Sequence, residues 1–300
     1  MPDTGLISRP DGPPRYSALG SPGPDFRAPQ PPQPPAAPST PGPRPRRRWR
    51  RALLSVAVLL LAMAISSTVT VVVMRSVYAQ GWREVFREDF DTPVPAGQFP
   101  GTTYAKRFTV YPDGWSDTSG KGRYAPSKVL SVADGSLRWT MQNPDGTPLG
   151  AAVLPTLPTY GQIYGRYTVR FRADAVPGYG LAFLLWPDSE KWPRDGEIDF
   201  PEGPLDGKMK AVAHYATEKG TFKEFDTDAG FNSWHTATIE WSPDLVTFTL
   251  DGSIVGQSTT MVPTRSMHWV LQTGTDALRQ PALHSKATIE VDWLEAEAWR

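Results

Sequence analysis

Cysteine is absent from the 300 residues. That excludes a disulfide framework, a thiolate nucleophile and any cysteine-ligated metal. Net charge is absent too: 31 Lys and Arg balance 31 Asp and Glu, so the overall electrostatics give no reason to expect nucleic acid as a partner. The four histidines are scattered without zinc-ligand spacing. There is no phosphate-binding glycine loop, dinucleotide fingerprint, internal repeat or long amphipathic helical pattern. A domain without disulfides depends on its hydrophobic core, and the second two-thirds of the chain are long enough to bury one.

What is present is unevenly spread. The first 45 residues are polar and proline-rich, as in Pro29-Gln30-Pro31-Pro32-Gln33-Pro34-Pro35. Such a tract buries too little apolar surface to offset its ordering entropy, and reads as disordered with polyproline II character. Arg46-Arg47-Arg48-Trp49-Arg50-Arg51 follows and abuts a stretch from Ala52 to Met74 without a charged residue. At about 1.5 Å per residue a helix of this length crosses the roughly 30 Å hydrocarbon core of a bilayer. Five arginines precede the stretch and only Arg75 and Arg83 follow closely, so the positive-inside rule places the N-terminus in the cytoplasm. A cleaved signal peptide is the rival, with Val77-Tyr78-Ala79 as a loose cleavage site. A signal core is about 7–15 residues, and this one is longer, so the uncleaved anchor is favoured. The expected organisation is a disordered cytoplasmic tail over 1–51, one transmembrane helix over 52–74, a linker over 75–83 and an extracellular domain over 84–300, held at the cell membrane as a single-pass protein.

Beyond the linker the texture is short alternating segments between glycine, proline and aspartate turns. Leu137-Arg138-Trp139-Thr140-Met141, Tyr167-Thr168-Val169-Arg170-Phe171, Val246-Thr247-Phe248-Thr249-Leu250 and Ile289-Glu290-Val291-Asp292-Trp293 show the period of two that marks strands. Asp251-Gly252 between Leu250 and Ile254 signals a hairpin. The expectation is an all-β, two-sheet jelly-roll sandwich. Tryptophan, at 11 residues, is abundant. Large aromatics serve a core first; their second use is an indole face laid on the apolar face of a pyranose. Trp241 and Trp293 sit in alternating strand patterns and are expected in the core.

The segment richest in chemistry is Trp192-Pro193-Arg194-Asp195-Gly196-Glu197-Ile198-Asp199-Phe200-Pro201-Glu202. On a regular strand Glu197 and Asp199 share a face and Glu202 falls on the other. A β-bulge between Asp199 and Glu202 would return Glu202 to the first face, and Pro201 stands where the bulge is needed. Like charges crowded on one face raise one another's pKa, so one or more carboxyls would hold a proton near neutrality. Retaining glycoside hydrolysis needs an ionised and a protonated carboxyl side by side. From the residues alone, a solvated acidic strand end turning at Pro201-Glu202-Gly203-Pro204 is the favoured reading, since perturbed carboxylates also occur in ordinary networks.

Gly196-Glu197-Ile198-Asp199-Phe200-Pro201-Glu202 resembles the E-x-D-x-x-E signature of glycoside hydrolase family 16, the laminarinase- and lichenase-like enzymes. Tyr164-Gly165-Arg166-Tyr167, Trp192-Pro193, His214-Tyr215, Trp234 to Trp241, Asp251-Gly252 and Val291-Asp292-Trp293 are similar to the family's other segments, in order, over about residues 86–300. The resemblance implies a jelly roll of concanavalin A type, with Glu197 as nucleophile, Glu202 as general acid/base and Asp199 hydrogen-bonded to the nucleophile. It implies a β-glucan-like polysaccharide as partner, no required cofactor, and a structural calcium for which Asp292 is the nearest positional match. Trp192, Trp186, His214 and Trp115 are the candidate substrate-binding residues. Two departures touch the substrate: Leu184 stands where the family often has tryptophan, and Gln272 lies in a strand where it often has asparagine. The expected activity is an endo-acting, retaining β-glucanase on β-1,3 or β-1,3-1,4 linkages. A cell-envelope transglycosylase using the same glutamates and a non-catalytic, lectin-like glucan-binding module are the rivals.

Overall fold

The computed structural model describes residues 81–300. The expected tail, the span over 52–74 and residues 75–80 of the linker lie outside the described residues. In chain order the strands are β1 (Trp82–Glu88), β2 (Phe108–Val110), β3 (Arg123–Tyr124), β4 (Leu130–Ala133), β5 (Ser136–Gln142), β6 (Leu149–Gly150), β7 (Ala152–Pro155), β8 (Gly165–Ala173) and β9 (Tyr179–Pro187). They continue with β10 (Glu197–Pro204), β11 (Lys210–His214), β12 (Phe222–Asp226), β13 (His235–Ser242), β14 (Leu245–Leu250), β15 (Ser253–Ser258), β16 (Met267–Thr275) and β17 (Lys286–Trp299). The helices among the described residues are the single turns Gly101–Tyr104 and Pro126–Val129. No helix among the described residues is long and apolar enough to cross a membrane.

The strands form a ten-stranded and a seven-stranded sheet, the two-sheet sandwich expected from the alternating patterns. The seven-stranded sheet runs β12-β11-β10-β9-β16-β7-β2, so the acid-bearing β10 is an interior strand between β9 and β11. All four alternating segments singled out in the sequence are strands, namely parts of β5, β8, β14 and β17. Asp251 and Gly252 both have positive φ, 50° and 82°, and close the β14–β15 hairpin as a two-residue turn of this kind requires. β1 pairs with the last residues of β17, from Trp82↔Trp299 onward.

Alternation decides which side chains fill the space between the sheets. On β9, Leu181, Phe183 and Leu185 join the main core, while Ala182, Leu184 and Trp186 turn to the other face. Trp139, Trp241 and Trp269 are fully buried, each removing on the order of 150–250 Å² from water. Two of these indoles also satisfy their N–H, on Ala151 O at 3.3 Å and Pro263 O at 2.9 Å. Trp293 is a correction to the expected core. The register of β17 against β8 shifts between Val291 and Trp293, which turns Trp293 outward beneath the Arg87 guanidinium, 4.9 Å from the ring centroid.

Candidate active site

The outer face of the seven-stranded sheet carries a second apolar cluster of Tyr124, Ala152, Leu154, Leu184 and Val270, flanked by Tyr111, Ala182 and Trp186. This cluster floors a groove. One cavity beside Glu197 is lined by Tyr111, Trp115, Tyr124, Leu184 and Trp186. A second, beside Glu202, is lined by Asp117, Lys210, Asp276 and Leu278. Thr118, Tyr124 and Gln272 line both, so the two are parts of one groove that passes the acids.

The groove meets the acids because β10 is bulged. Ile198 and Phe200 point into the core, which sends Glu197 and Asp199 to the groove face. The register against both β9 and β11 then shifts between Asp199 and Glu202, as the position of Pro201 foretold. Asp199 pairs with Leu184 and Glu202 with Ala182, both groove-face residues of β9, so the shift returns Glu202 to the same face. Gly196 opens the strand with φ of +79°; a Cβ there would meet His214 O at 2.9 Å and Pro263 Cγ at 2.8 Å, so only glycine fits before Glu197.

The three acids are unequally exposed. Asp199 is buried, at 2% exposure, Glu197 is 9% exposed and Glu202 is half-buried. Burial pushes the Glu197 carboxyl up to about 9, with the Asp199 charge adding to it and His214 and Trp192 opposing. Burial likewise raises Asp199 well above the usual carboxylate range, with the Glu202 charge adding to it. Glu202 is raised by burial, while Lys210 and His214 pull it down. Glu197 and Asp199 are neighbours on the groove face, with carboxylate oxygens within 4.8 Å of one another, so each disfavours the ionisation of the other. Asp195, the fourth acid of the segment, behaves differently. Arg194 holds it with two 2.8 Å bonds and Ser189 with one of 2.5 Å, which depresses its carboxyl to about 2. It fixes the loop that presents Trp192.

His214 stands opposite Glu197 on β11, its Nε2 3.7 Å from Glu197 Oε2 and 3.2 Å from Asp199 Oδ2. The approach to Asp199 lacks the alignment of a hydrogen bond, since Oδ2 has no partner. Trp186 and Trp192 stack, with ring centroids 6.3 Å apart and planes 12° from parallel. Trp186 Nε1 donates to Glu190 at 2.8 Å. Trp115, 55% exposed, lies against Tyr111 on the opposite wall. All seven expected catalytic and substrate-binding residues therefore gather around one groove. Asp292 does not. Its carboxylate pairs with the Arg170 guanidinium on the outer face of the ten-stranded sheet, away from the groove. Among the described residues, Glu197, Asp199 and His214 form the group whose donor atoms converge, within 4.8 Å of one another.

Several groove residues were not anticipated. Tyr124 donates to Gln272 Oε1 at 3.0 Å. Asp117 accepts from Gly122 N at 3.1 Å, Ser119 Oγ at 2.7 Å and Thr275 N at 2.9 Å, which pins the loop bearing Trp115 and Thr118 to the end of β16. Burial opposes ionisation of Asp117, but these hydrogen bonds outweigh it and lower its pKa. Lys210 faces Glu202 across β10 and β11. Counting back from His214 by twos along β11 would have found it.

Comparison with known proteins agrees with the reading of the signature. The family model described as Glycosyl hydrolases family 16 matches residues 127–293, more than half of the 300-residue chain. A beta-glucanase of Bacillus amyloliquefaciens is 23% identical over 174 residues, which cover 54% of this chain and 72% of that protein. Among solved structures, SCLam, a non-specific endo-beta-1,3(4)-glucanase, superposes with a TM-score of 0.61 at 18% identity, over 73% of this chain and 92% of its own. A Mycobacterium tuberculosis protein described as an immunostimulatory antigen and pseudo beta-1,3-glucanase superposes with a TM-score of 0.57 at 20% identity, over 72% and 98%. At these identities the superpositions show a shared fold.

Proposed function

The chain belongs to family 16 of the glycosyl hydrolases, and from that premise we propose that it is a retaining endo-β-glucanase in which Glu197 is the nucleophile and Glu202 the general acid/base. The observation that carries this is the bulged strand, which aims three carboxyls of unequal burial into one aromatic-walled groove. In the proposed reactive state a proton sits on Asp199, Glu197 is ionised, and Asp199 donates to it. Glu197 then attacks the anomeric carbon while Glu202, protonated, gives its proton to the departing sugar oxygen. In the second step Glu202 takes a proton from water, which attacks the glycosyl-enzyme from the face the leaving group vacated. No step calls for a cofactor. The groove's apolar floor and aromatic walls, with neutral Tyr124 and Gln272 between, favour a neutral glucan, and β-1,3 or mixed β-1,3-1,4 linkages are the proposed targets.

The decisive experiment incubates the full chain with β-1,3-glucan and mixed-linkage glucan and follows the first-formed anomer by proton NMR. A β product at early times supports double displacement; an α product overturns it. Longer oligosaccharides formed when an acceptor is added would identify a transglycosylase. Binding without any bond cleavage would identify a glucan-binding module.

We also propose that the domain is extracellular and tethered by residues 52–74, with the N-terminus cytoplasmic. The support is the uncharged run and the arginine asymmetry around it. Protease added to intact cells is expected to remove the domain and spare the tail.

A further inference from the structure

β11 presents a residue across from each acid of β10. Glu197 lies opposite His214, Asp199 opposite Val212, and Glu202 opposite Lys210. The same bulge that returns Glu202 to the groove thus sets it against the one lysine lining the groove at that end. Lys210 is not free to swing away, because Glu224 of β12 forms an ion pair with its ammonium from the other side. Lys210 and Glu224 are 31% and 42% exposed, so their charges are screened only in part.

We propose that Lys210, tethered by Glu224, is a positioning residue that sets how tightly Glu202 holds its proton. The inference rests on Glu202 being the acid/base of the proposed reaction. The charged groups around Glu202 leave few other candidates. Its own strand brings Glu197 and Asp199, which disfavour its ionisation. β9 brings Gly180, Leu181 and Ala182, none charged. The cavity walls bring Asp117 and Asp276, both acidic. β12 brings Glu224 and Asp226, also acidic, while its Lys223 alternates to the opposite face, where its ammonium lies over the Phe225 ring. Lys210 and His214 are the counterweights, and His214 is spent mainly on Glu197 and Asp199. Burial lowers the proton affinity of Lys210, but the bond to Glu224 and the charges of Glu202, Glu224 and Asp199 raise it more, so the ammonium stays charged. Glu224 therefore divides the lysine's charge: what it takes, Glu202 lacks.

The two variants have opposite signs. Lys210→Met removes the cation, Glu202 holds its proton more tightly, and the alkaline limb of kcat/KM moves to higher pH by about 0.5–1 unit. Glu224→Gln releases Lys210 toward Glu202 and moves the limb to lower pH by a similar amount. Lys210→Arg keeps the cation and is expected to keep the parent limb, which a merely structural role for the lysine would not predict. In Lys210→Met, adding Glu224→Gln is expected to move the limb far less than it does alone. A turnover-free readout accompanies these: titration of ¹³C-labelled Glu202 by NMR in parent, Lys210→Met and Glu224→Gln. Shifts of opposite sign support the proposal even if no substrate is cleaved, in which case only the glucanase reading fails. An unmoved Glu202 titration in both variants, or shifts of the same sign, overturns it.

Discussion

Asp199 lies opposite Val212 across β10 and β11, and His214 of the same strand as Val212 comes within 3.2 Å of its Oδ2 without forming a hydrogen bond. The most buried of the three acids thus has an unsatisfied oxygen, and burial raises its pKa well above the usual carboxylate range. The consequence for stability has a definite sign. An acid with a raised folded pKa binds more protons folded than unfolded. Its stabilisation is complete below its unfolded pKa of about 3.9 and is lost as pH rises toward the folded value. Asp199→Asn, which cannot ionise, is therefore expected to melt near the parent at pH 4 and above it at pH 8, by about 1–3 kcal/mol. Thermal unfolding at pH 4, 6 and 8 measures this. A variant less stable than the parent at pH 8 would show that Asp199 is held ionised. Activity is expected to fall at every pH, because Glu197 loses its proton partner.

The stacked indoles of Trp186 and Trp192 stand at the groove edge, and Trp192 is 45% exposed. Trp192→Ala is expected to lower kcat/KM for a glucan about five- to thirtyfold, equivalent to about 1–2 kcal/mol, with little change in melting temperature. Trp269→Ala, in the sealed core, is expected to do the reverse in kind: a loss of about 3–5 kcal/mol in stability. Urea unfolding of both variants beside their kinetics separates the two roles. A large stability loss for Trp192→Ala would make that indole a core element.

Asp117 ties the loop of Trp115 and Thr118 to Thr275. Asp117→Ala is expected to raise KM for a polymeric glucan severalfold and to leave turnover of a small aryl glycoside within about twofold, since the acids on β10 are untouched. Equal losses on both substrates would show that the loop supports the acids themselves.

The sheet, the hairpin at Asp251-Gly252 and the bulge at Pro201 were legible in the sequence because each rests on a local rule: a period of two, a pair of positive φ angles, a proline inside a strand. The groove residues were less so. Tyr124 lies on the two-residue strand β3, too short to show alternation, and meets Gln272 of the other sheet only by a side-chain hydrogen bond across 148 positions of sequence. Lys210 was readable by parity from His214 but carries no chemistry of its own that draws notice. Trp293 was misplaced because a bulge at Asp292 breaks the alternation on which its expected burial depended, and no proline marks that bulge. Leu184, where the resemblance would put tryptophan, lines the groove beside Glu197, and Trp186 lines it two residues later on the same face.

The roles of the two glutamates are separable by what each variant can no longer do. Under the proposed roles Glu197→Gln removes the nucleophile, so no glycosyl-enzyme is expected from any substrate. Glu202→Ala removes the proton donor, which matters when the leaving group is a sugar alkoxide and little when it is a good phenolate. With a natural glucan that variant is expected to lose about 10²–10⁴-fold in turnover. With an activated aryl glycoside it forms the glycosyl-enzyme and then stalls, since the base that activates water is gone as well. Mass spectrometry of the stalled protein should show one added glycosyl unit, lost on mutation of Glu197. Azide needs no general base, so adding it is expected to restart turnover and to give a β-glycosyl azide, with the substrate's own configuration. In Glu197→Ala, azide can act only from the opposite face and would give the α-azide. An α product from the Glu202 variant would mean that the two roles are exchanged, with Glu202 attacking and Glu197, the deeper of the two, keeping the proton.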